Sequence, residues 1–189
     1  MITIDDIVSV TLSEKQIAVC KEHAEKCSLG GVSRIREDIN RKENLNEDQI
    51  IGQICTCAAT MWISSSKDRG FRYYDRIRTQ QNKNPNCGDG GDDLPPYRVD
   101  IKGSKVRNPN KDILTYNLLV RPAERHNDWI YILALSDYPE IKLIGWIYDI
   151  DLPNESESSG IFNGAYRKIA KELNPMNMAK EVIKKRKII

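Results

Sequence analysis

Asp93, Asp100 and Lys102 fall close together in the stretch Cys87-Gly-Asp-Gly-Gly-Asp-Asp-Leu-Pro-Pro-Tyr-Arg-Val-Asp-Ile-Lys-Gly-Ser104. Two carboxylates and an amine at this spacing suit the hydrolysis of a phosphodiester. That reaction needs the phosphorane charge neutralised, a water activated and the leaving oxygen stabilised, and one or two Mg²⁺ ions serve all three needs. Mg²⁺ takes hard oxygen ligands and keeps several waters, so two carboxylates and a carbonyl suffice from a protein. A lysine beside the metal orients the water and offsets charge. Asp93 and Asp100 are the expected carboxylates and Lys102 the expected amine, with Asp92 or Asp89 as the alternative to Asp93. A lone Asp-x-Lys on a strand also describes a surface ion pair, worth about 0–1 kcal/mol. A calcium loop over 89–100 fits poorly, because Gly91 takes a ligand position, Leu94 the turn-glycine position and Asp100 the bidentate glutamate position.

The chain must hold these groups together. Alternation places Arg98, Asp100 and Lys102 on one face of a strand and Tyr97, Val99 and Ile101 on the other. Burying the second face aims the first at a cleft. Fully extended, seven residues at about 3.3 Å each would separate the two aspartates by roughly 23 Å. They can share a metal only if the chain doubles back, and Leu94-Pro-Pro-Tyr97 is where prolines allow it.

Upstream, residues 12–27 read as a helix capped by Ser13 and ended by Gly30-Gly31, and 32–45 as a loop. Residues 46–63 form the strongest helical pattern, with Asn46 as cap, Glu47 and Asp48 in the first turn, and a broad apolar stripe whose small residues suit close packing on a sheet. Residues 67–86 interleave Phe71, Tyr73 and Tyr74 with Arg69, Arg72, Arg76 and Arg78, as an edge strand or a helix. Basic side chains among aromatics suit a nucleic-acid surface. Arg72 and Arg76, with Lys105 and Arg107 beyond the Asp-x-Lys strand, are the expected phosphate contacts. Downstream, 107–112 is a turn, 113–120 a strand and 121–128 a loop. Residues 129–135 are a strand apolar on both faces, and 141–148 its hairpin partner. Residues 151–160 are an acidic loop, and 161–189 carry a weak helical pattern broken at Asn174-Pro175.

The 189 residues fit one domain, 40% hydrophobic and 30% charged. The expected division is an N-terminal helical part (1–46), a core (47–178) and a basic tail (179–189) that can touch phosphates. A net charge of +2 does not by itself announce a nucleic-acid binder. Five cysteines without framework spacing, and no secretory signal, indicate free thiols in a cytoplasm. No apolar run reaches the roughly 20 residues that span a bilayer. Cys55-Thr-Cys57 has no second pair at zinc spacing, and His126 reads as a surface histidine.

The order helix, acidic turn and Asp-x-Lys strand resembles the PD-(D/E)XK nuclease superfamily. Tyr116-Asn-Leu-Leu-Val-Arg-Pro122, Trp129-Ile-Tyr-Ile-Leu-Ala-Leu135, Gly145-Trp-Ile147 and Glu172-Leu-Asn-Pro-Met176 are similar to small phage-borne members. The resemblance covers roughly 47–178. It implies an α/β, restriction-endonuclease-like core, a mixed central β-sheet flanked by helices. It implies Mg²⁺ as cofactor, with Mn²⁺ substituting, DNA as partner and a host-cell cytoplasm; the oligomeric state stays open, a homodimer included. Residue by residue, Asp93 and Asp100 match the metal-binding acids, Lys102 the catalytic lysine, and the carbonyl of Ile101 a common further ligand. One position departs: Thr56 stands where a helix glutamate is frequent, with Gln53 one turn earlier as a partial substitute. That departure leaves a second expectation open, a protein of the same fold that binds DNA or a host protein without cutting.

Overall fold

The computed structural model describes residues 1–30, 42–83, 92–155 and 164–186, with the backbone alone for 27–30 and 42–46. Four helices are described: α1 (Glu14–Gly30), α2 (Lys42–Ile63), α3 (Lys67–Asn82) and α4 (Met176–Lys185). The strands are β1 (Val8–Thr11), β2 (Val99–Lys105), β3 (Asn117–Val120), β4 (Ile130–Asp137), β5 (Glu140–Tyr148) and β6 (Tyr166–Ile169). One sheet has the order β1-β5-β4-β2, and β3 pairs with β6 in a second, two-stranded sheet. The larger sheet is mixed: β2 runs parallel to β4, while β4–β5 and β5–β1 are antiparallel. The chain is therefore α/β. No helix among the described residues is long and apolar enough to cross a membrane.

The expected β4–β5 hairpin forms, and β4 is buried on both faces. Ile130, Ile132 and Ala134 enter one hydrophobic cluster, together with residues of all four helices. Tyr131, Leu133 and Leu135 enter another, with Leu118 and Val120 of β3. The sheet thus lies between a helical layer and the small second sheet. α2 packs on β2 as its small residues anticipated. A Cβ on Gly103 would meet Cys55 Sγ at 3.1 Å, so glycine lets the helix come close.

Local signals explain several boundaries. Ser13 caps α1: its Oγ accepts from Gln16 N at 3.4 Å, and Gln16 Oε1 accepts from Ser13 N at 2.8 Å. Residues 67–82 are a helix, not an edge strand; Ser66 Oγ accepts from Arg69 N at 3.3 Å, and Gly70, Tyr74 and Arg78 line the buried side. α2 begins at Lys42, four residues before the expected cap at Asn46 and inside the expected loop. The helix-competent Lys42-Glu-Asn-Leu run continues its pattern backwards. The rest of that loop, like residues 156–160 of the acidic stretch, lies outside the described residues.

Two expectations are corrected, and one strand is new. Residues 113–115 wind into a 3-10 turn rather than a strand, because Asp112 Oδ1 accepts from Leu114 N at 3.0 Å and the Asp112 carbonyl from Thr115 Oγ1 at 2.7 Å. Residues 166–169 form β6 rather than helix, because they find β3 as a partner far away in sequence. β1, which carried no signal strong enough to predict it, closes the other edge of the sheet on β5. The break at Asn174-Pro175 is present: α4 starts at Met176, and the Pro175 carbonyl accepts from Trp146 Nε1 at 3.0 Å.

Candidate metal centre

The reversal before β2 falls at Leu94-Pro-Pro-Tyr97. Tyr97 N donates to the Leu94 carbonyl at 2.8 Å, the Pro95–Pro96 bond is cis, and Asp93 N donates to the Val99 carbonyl at 2.8 Å. The turn extends to Arg98, at φ 54°, so the alternation of β2 starts at Val99 and Tyr97 belongs to the turn. Asp92 builds this turn. Its Oδ1 accepts from Leu94 N and Val99 N at 3.0 and 3.1 Å, and its Oδ2 from Arg98 N at 3.1 Å. Asp92 is thereby committed to three backbone amides. Asp92→Ala should orphan these donors and lower stability by about 2 kcal/mol, read by denaturant unfolding.

Asp93 reaches both the sheet and α3. Its Oδ2 accepts from Ile101 N at 2.7 Å, and its Oδ1 receives the guanidinium of Arg78. Arg78 is 4% exposed and also donates to Gln81 Oε1 at 2.8 Å. Because β2 is the last strand of the sheet, Asp93 occupies its outer edge. A strand residue points its N–H and C=O to the same side. The Ile101 carbonyl therefore faces that edge beside Asp93.

Asp100 and Lys102 share the opposite face of β2 from Val99 and Ile101, as alternation required. Asp100 is more enclosed than an open cleft would leave it, at 6% exposure. Its Oδ2 lies 2.7 Å from Lys102 Nζ, and Lys102 Nζ donates to Glu124 Oε2 at 2.8 Å. Glu124 arrives on a 3-10 turn, Pro122–Glu124, where its carboxylate accepts from Arg121 N at 3.3 Å and its carbonyl from the Tyr131 hydroxyl at 3.1 Å. Sequence reasoning placed 121–128 in a loop and missed this carboxylate. Arg121-Pro-Ala-Glu124, with proline opening a turn and glutamate closing it, was the available signal.

The charges are unequally satisfied. Burial pushes the Asp100 carboxyl up to about 7; Lys102 opposes this, while Asp93 and Glu124 add to it. Burial also disfavours ionised Glu124, but Lys102 outweighs it and holds this carboxyl below its ordinary value. Burial pulls the Lys102 ammonium down, yet Asp100 and Glu124 together lift it above its usual range. The lysine thus stays charged, Glu124 stays ionised, and Asp100 is poised near neutrality. A raised carboxyl favours the fold most below its ordinary value of 3.8, and this contribution is lost as pH rises through about 7.

The other expected residues scatter. Gln53 Oε1 accepts from the Tyr74 hydroxyl at 2.8 Å, within the helical layer. Thr56 is buried on α2, and its carbonyl accepts from Thr60 Oγ1 at 2.7 Å; it brings no carboxylate. Arg72 and Arg76 are exposed on α3 and, with Arg69 and Tyr73, line an open depression. Lys105 is taken up by Glu47, and Arg107 is exposed beyond β2. Cys20, Cys55 and Cys57 are buried free thiols; the side chains of Cys27 and Cys87 lie outside the described residues, as does Asp89.

Three carboxylates (Asp93, Asp100, Glu124) stand among three cations: Arg78, Lys102 and the exposed Arg121, 3.7 Å from Glu124. Among the described residues, no three histidine, cysteine or acidic side chains form a metal-holding group by themselves. A hard cation would therefore rely on Asp93, Asp100, the Ile101 carbonyl and water. Mg²⁺ accepts such a sparse protein contribution. No family model, no curated protein and no solved structure matches the chain.

Proposed function

We propose that the protein is a divalent-metal-dependent endonuclease hydrolysing phosphodiester bonds of DNA. One observation carries the reading: the Pro-Pro turn folds Asp93 back onto the edge of the very strand that bears Asp100 and Lys102. A mixed sheet with α2 against one face and this motif on its edge strand supports a restriction-endonuclease-like core. Asp93, Asp100 and the Ile101 carbonyl would hold Mg²⁺ or Mn²⁺, which when bound neutralises phosphate charge and acidifies water. Lys102 holds its proton firmly between Asp100 and Glu124 and supplies a fixed positive charge for the scissile phosphate or its attacking water. Arg72 and Arg76 supply backbone contacts with the DNA.

Supercoiled plasmid incubated with Mg²⁺ or Mn²⁺ should be nicked or linearised, and the products should be absent in EDTA. No cleavage of any DNA form with either metal would refute the proposal.

Metal binding should also depend on pH. Below about 7 Asp100 carries a proton that the cation must displace. Calorimetric Mn²⁺ affinity should therefore rise between pH 6 and pH 8, roughly tenfold per unit below the transition, with proton release at the lower pH. A flat profile would remove Asp100 from the ligand set.

A second reading is favoured by Arg78 on Asp93 and by Thr56 in place of a glutamate: a protein of this architecture that binds DNA or a host protein without cutting. It predicts binding that survives Lys102→Ala in a protein with no metal-dependent cleavage.

A further inference from the structure

A groove of about 350 Å³ opens beside the candidate metal centre, between α3, the end of α2, α4 and the 94–97 turn. Its lining includes Leu94 and Tyr97 from the turn, Tyr73 and Arg69 from α3, Ser65 after α2, and Lys184 from α4. Leu94 directly follows Asp93, so whatever fills the groove lies one residue from the metal site. The turn is anchored there by the Tyr73 hydroxyl, which donates to the Pro95 carbonyl.

The lining has a distinct chemistry. Two half-buried tyrosines, backed by the buried Leu94, offer a surface for a flat apolar group, hydroxyls offer hydrogen bonds, and two cations flank them. Among the described residues, no acidic side chain lines the groove. Arg69 is also the first of three exposed arginines, Arg69, Arg72 and Arg76, at helical spacing along one side of α3. A cationic track leading to an aromatic recess matches a nucleotide chain with one base withdrawn from pairing: phosphates follow the arginines and the base enters between the tyrosines.

We infer that this groove binds an unpaired nucleotide of a single-stranded DNA segment, so that the nuclease acts on single strands or on duplexes with unpaired ends or flaps. The substrate class rests on the nuclease reading; the groove itself can be tested apart from it. The probes are a fluorescein-labelled dT15 strand and a labelled blunt duplex of two fully complementary 15-mers, each titrated with the full chain in EDTA, where no cleavage occurs. The wild type should bind dT15 about tenfold tighter than the blunt duplex. Tyr97→Ala should weaken dT15 binding about tenfold, and Tyr97→Phe should retain it. Arg69→Glu and Lys184→Glu, both on exposed positions, should each weaken it several-fold and flatten its salt dependence. A strand containing 2-aminopurine should be quenched on binding by wild type, and less so by Tyr97→Ala. Equal binding of the blunt duplex and dT15, or wild-type dT15 affinity in Tyr97→Ala, Arg69→Glu and Lys184→Glu alike, would overturn the inference. The two readings can fail separately: binding without cleavage in Mg²⁺ or Mn²⁺ sinks the nuclease and keeps the groove, and cleavage untouched by the groove variants does the reverse.

Discussion

Asp100→Asn is expected to lower metal-dependent DNA cleavage by about 100- to 1,000-fold, and to leave the melting temperature at pH 8 unchanged or higher. The two effects separate because Asp100 serves two incompatible demands. As a ligand it must be ionised. As a residue only 6% exposed it bears the cost of holding that charge away from water, which is why its carboxyl is pushed up to about 7. An amide of the same shape removes the charge and its cost together. Lys102 keeps Glu124 as a partner at 2.8 Å, so no cation is orphaned. Lys102→Ala should lose activity to a similar degree but should also destabilise, because buried Asp100 then loses its cation while Glu124 keeps only the exposed Arg121 at 3.7 Å. Plasmid-nicking rates and thermal melts of both variants decide the matter. If Asp100→Asn cleaves like wild type, Asp100 is no ligand.

The second large effect concerns the helical layer. Gly70→Ala should lower stability by about 2–3 kcal/mol, or about 5–10 °C in melting temperature for a chain of this size. A Cβ there would meet Met61 Cα at 2.5 Å and the Thr60 carbonyl oxygen at 2.7 Å. Both are backbone atoms of α2 and cannot rotate away as a side-chain end would. α3 would have to withdraw, and with it Arg78, which holds Asp93, and Tyr73, which holds the Pro-Pro turn. Gly52→Ala is the control of opposite sign. Among the described residues nothing beyond the helix's own backbone lies within 4 Å of a Cβ there, and alanine favours a helix interior by up to about 1 kcal/mol. Equal melting of Gly70→Ala and wild type would show that the helices have slack between them.

What the sequence revealed follows from how far each signal reaches along the chain. The Ser13 cap, the Pro-Pro reversal, the alternation of Val99, Asp100, Ile101 and Lys102, and the apolar run of β4 are all local patterns. Each of them was legible. β1 and β6 are four residues long and exist only because β5 and β3 pair with them from far away. Glu124 was hidden for a related reason, since its meeting with Lys102 spans 22 residues. Arg78 was misread as one more surface arginine of the 67–86 segment. Its spacing from Gly70 and Tyr74, four residues each time, puts it on the buried side of α3, where only a carboxylate such as Asp93 makes it tolerable.

The outermost strand of a sheet presents unpaired backbone groups that invite a neighbouring molecule to add a strand of its own. On β2 that vulnerable row is closed at Ile101 by the carboxylate of Asp93, and at Val99 by the Asp93 amide. The residue proposed to hold the metal is therefore also the guard that keeps one molecule from zipping onto the next. Losing its carboxylate would unpair the Ile101 amide at that edge as well as remove a proposed ligand, so the proposed chemistry and the cover over Ile101 rest on a single side chain.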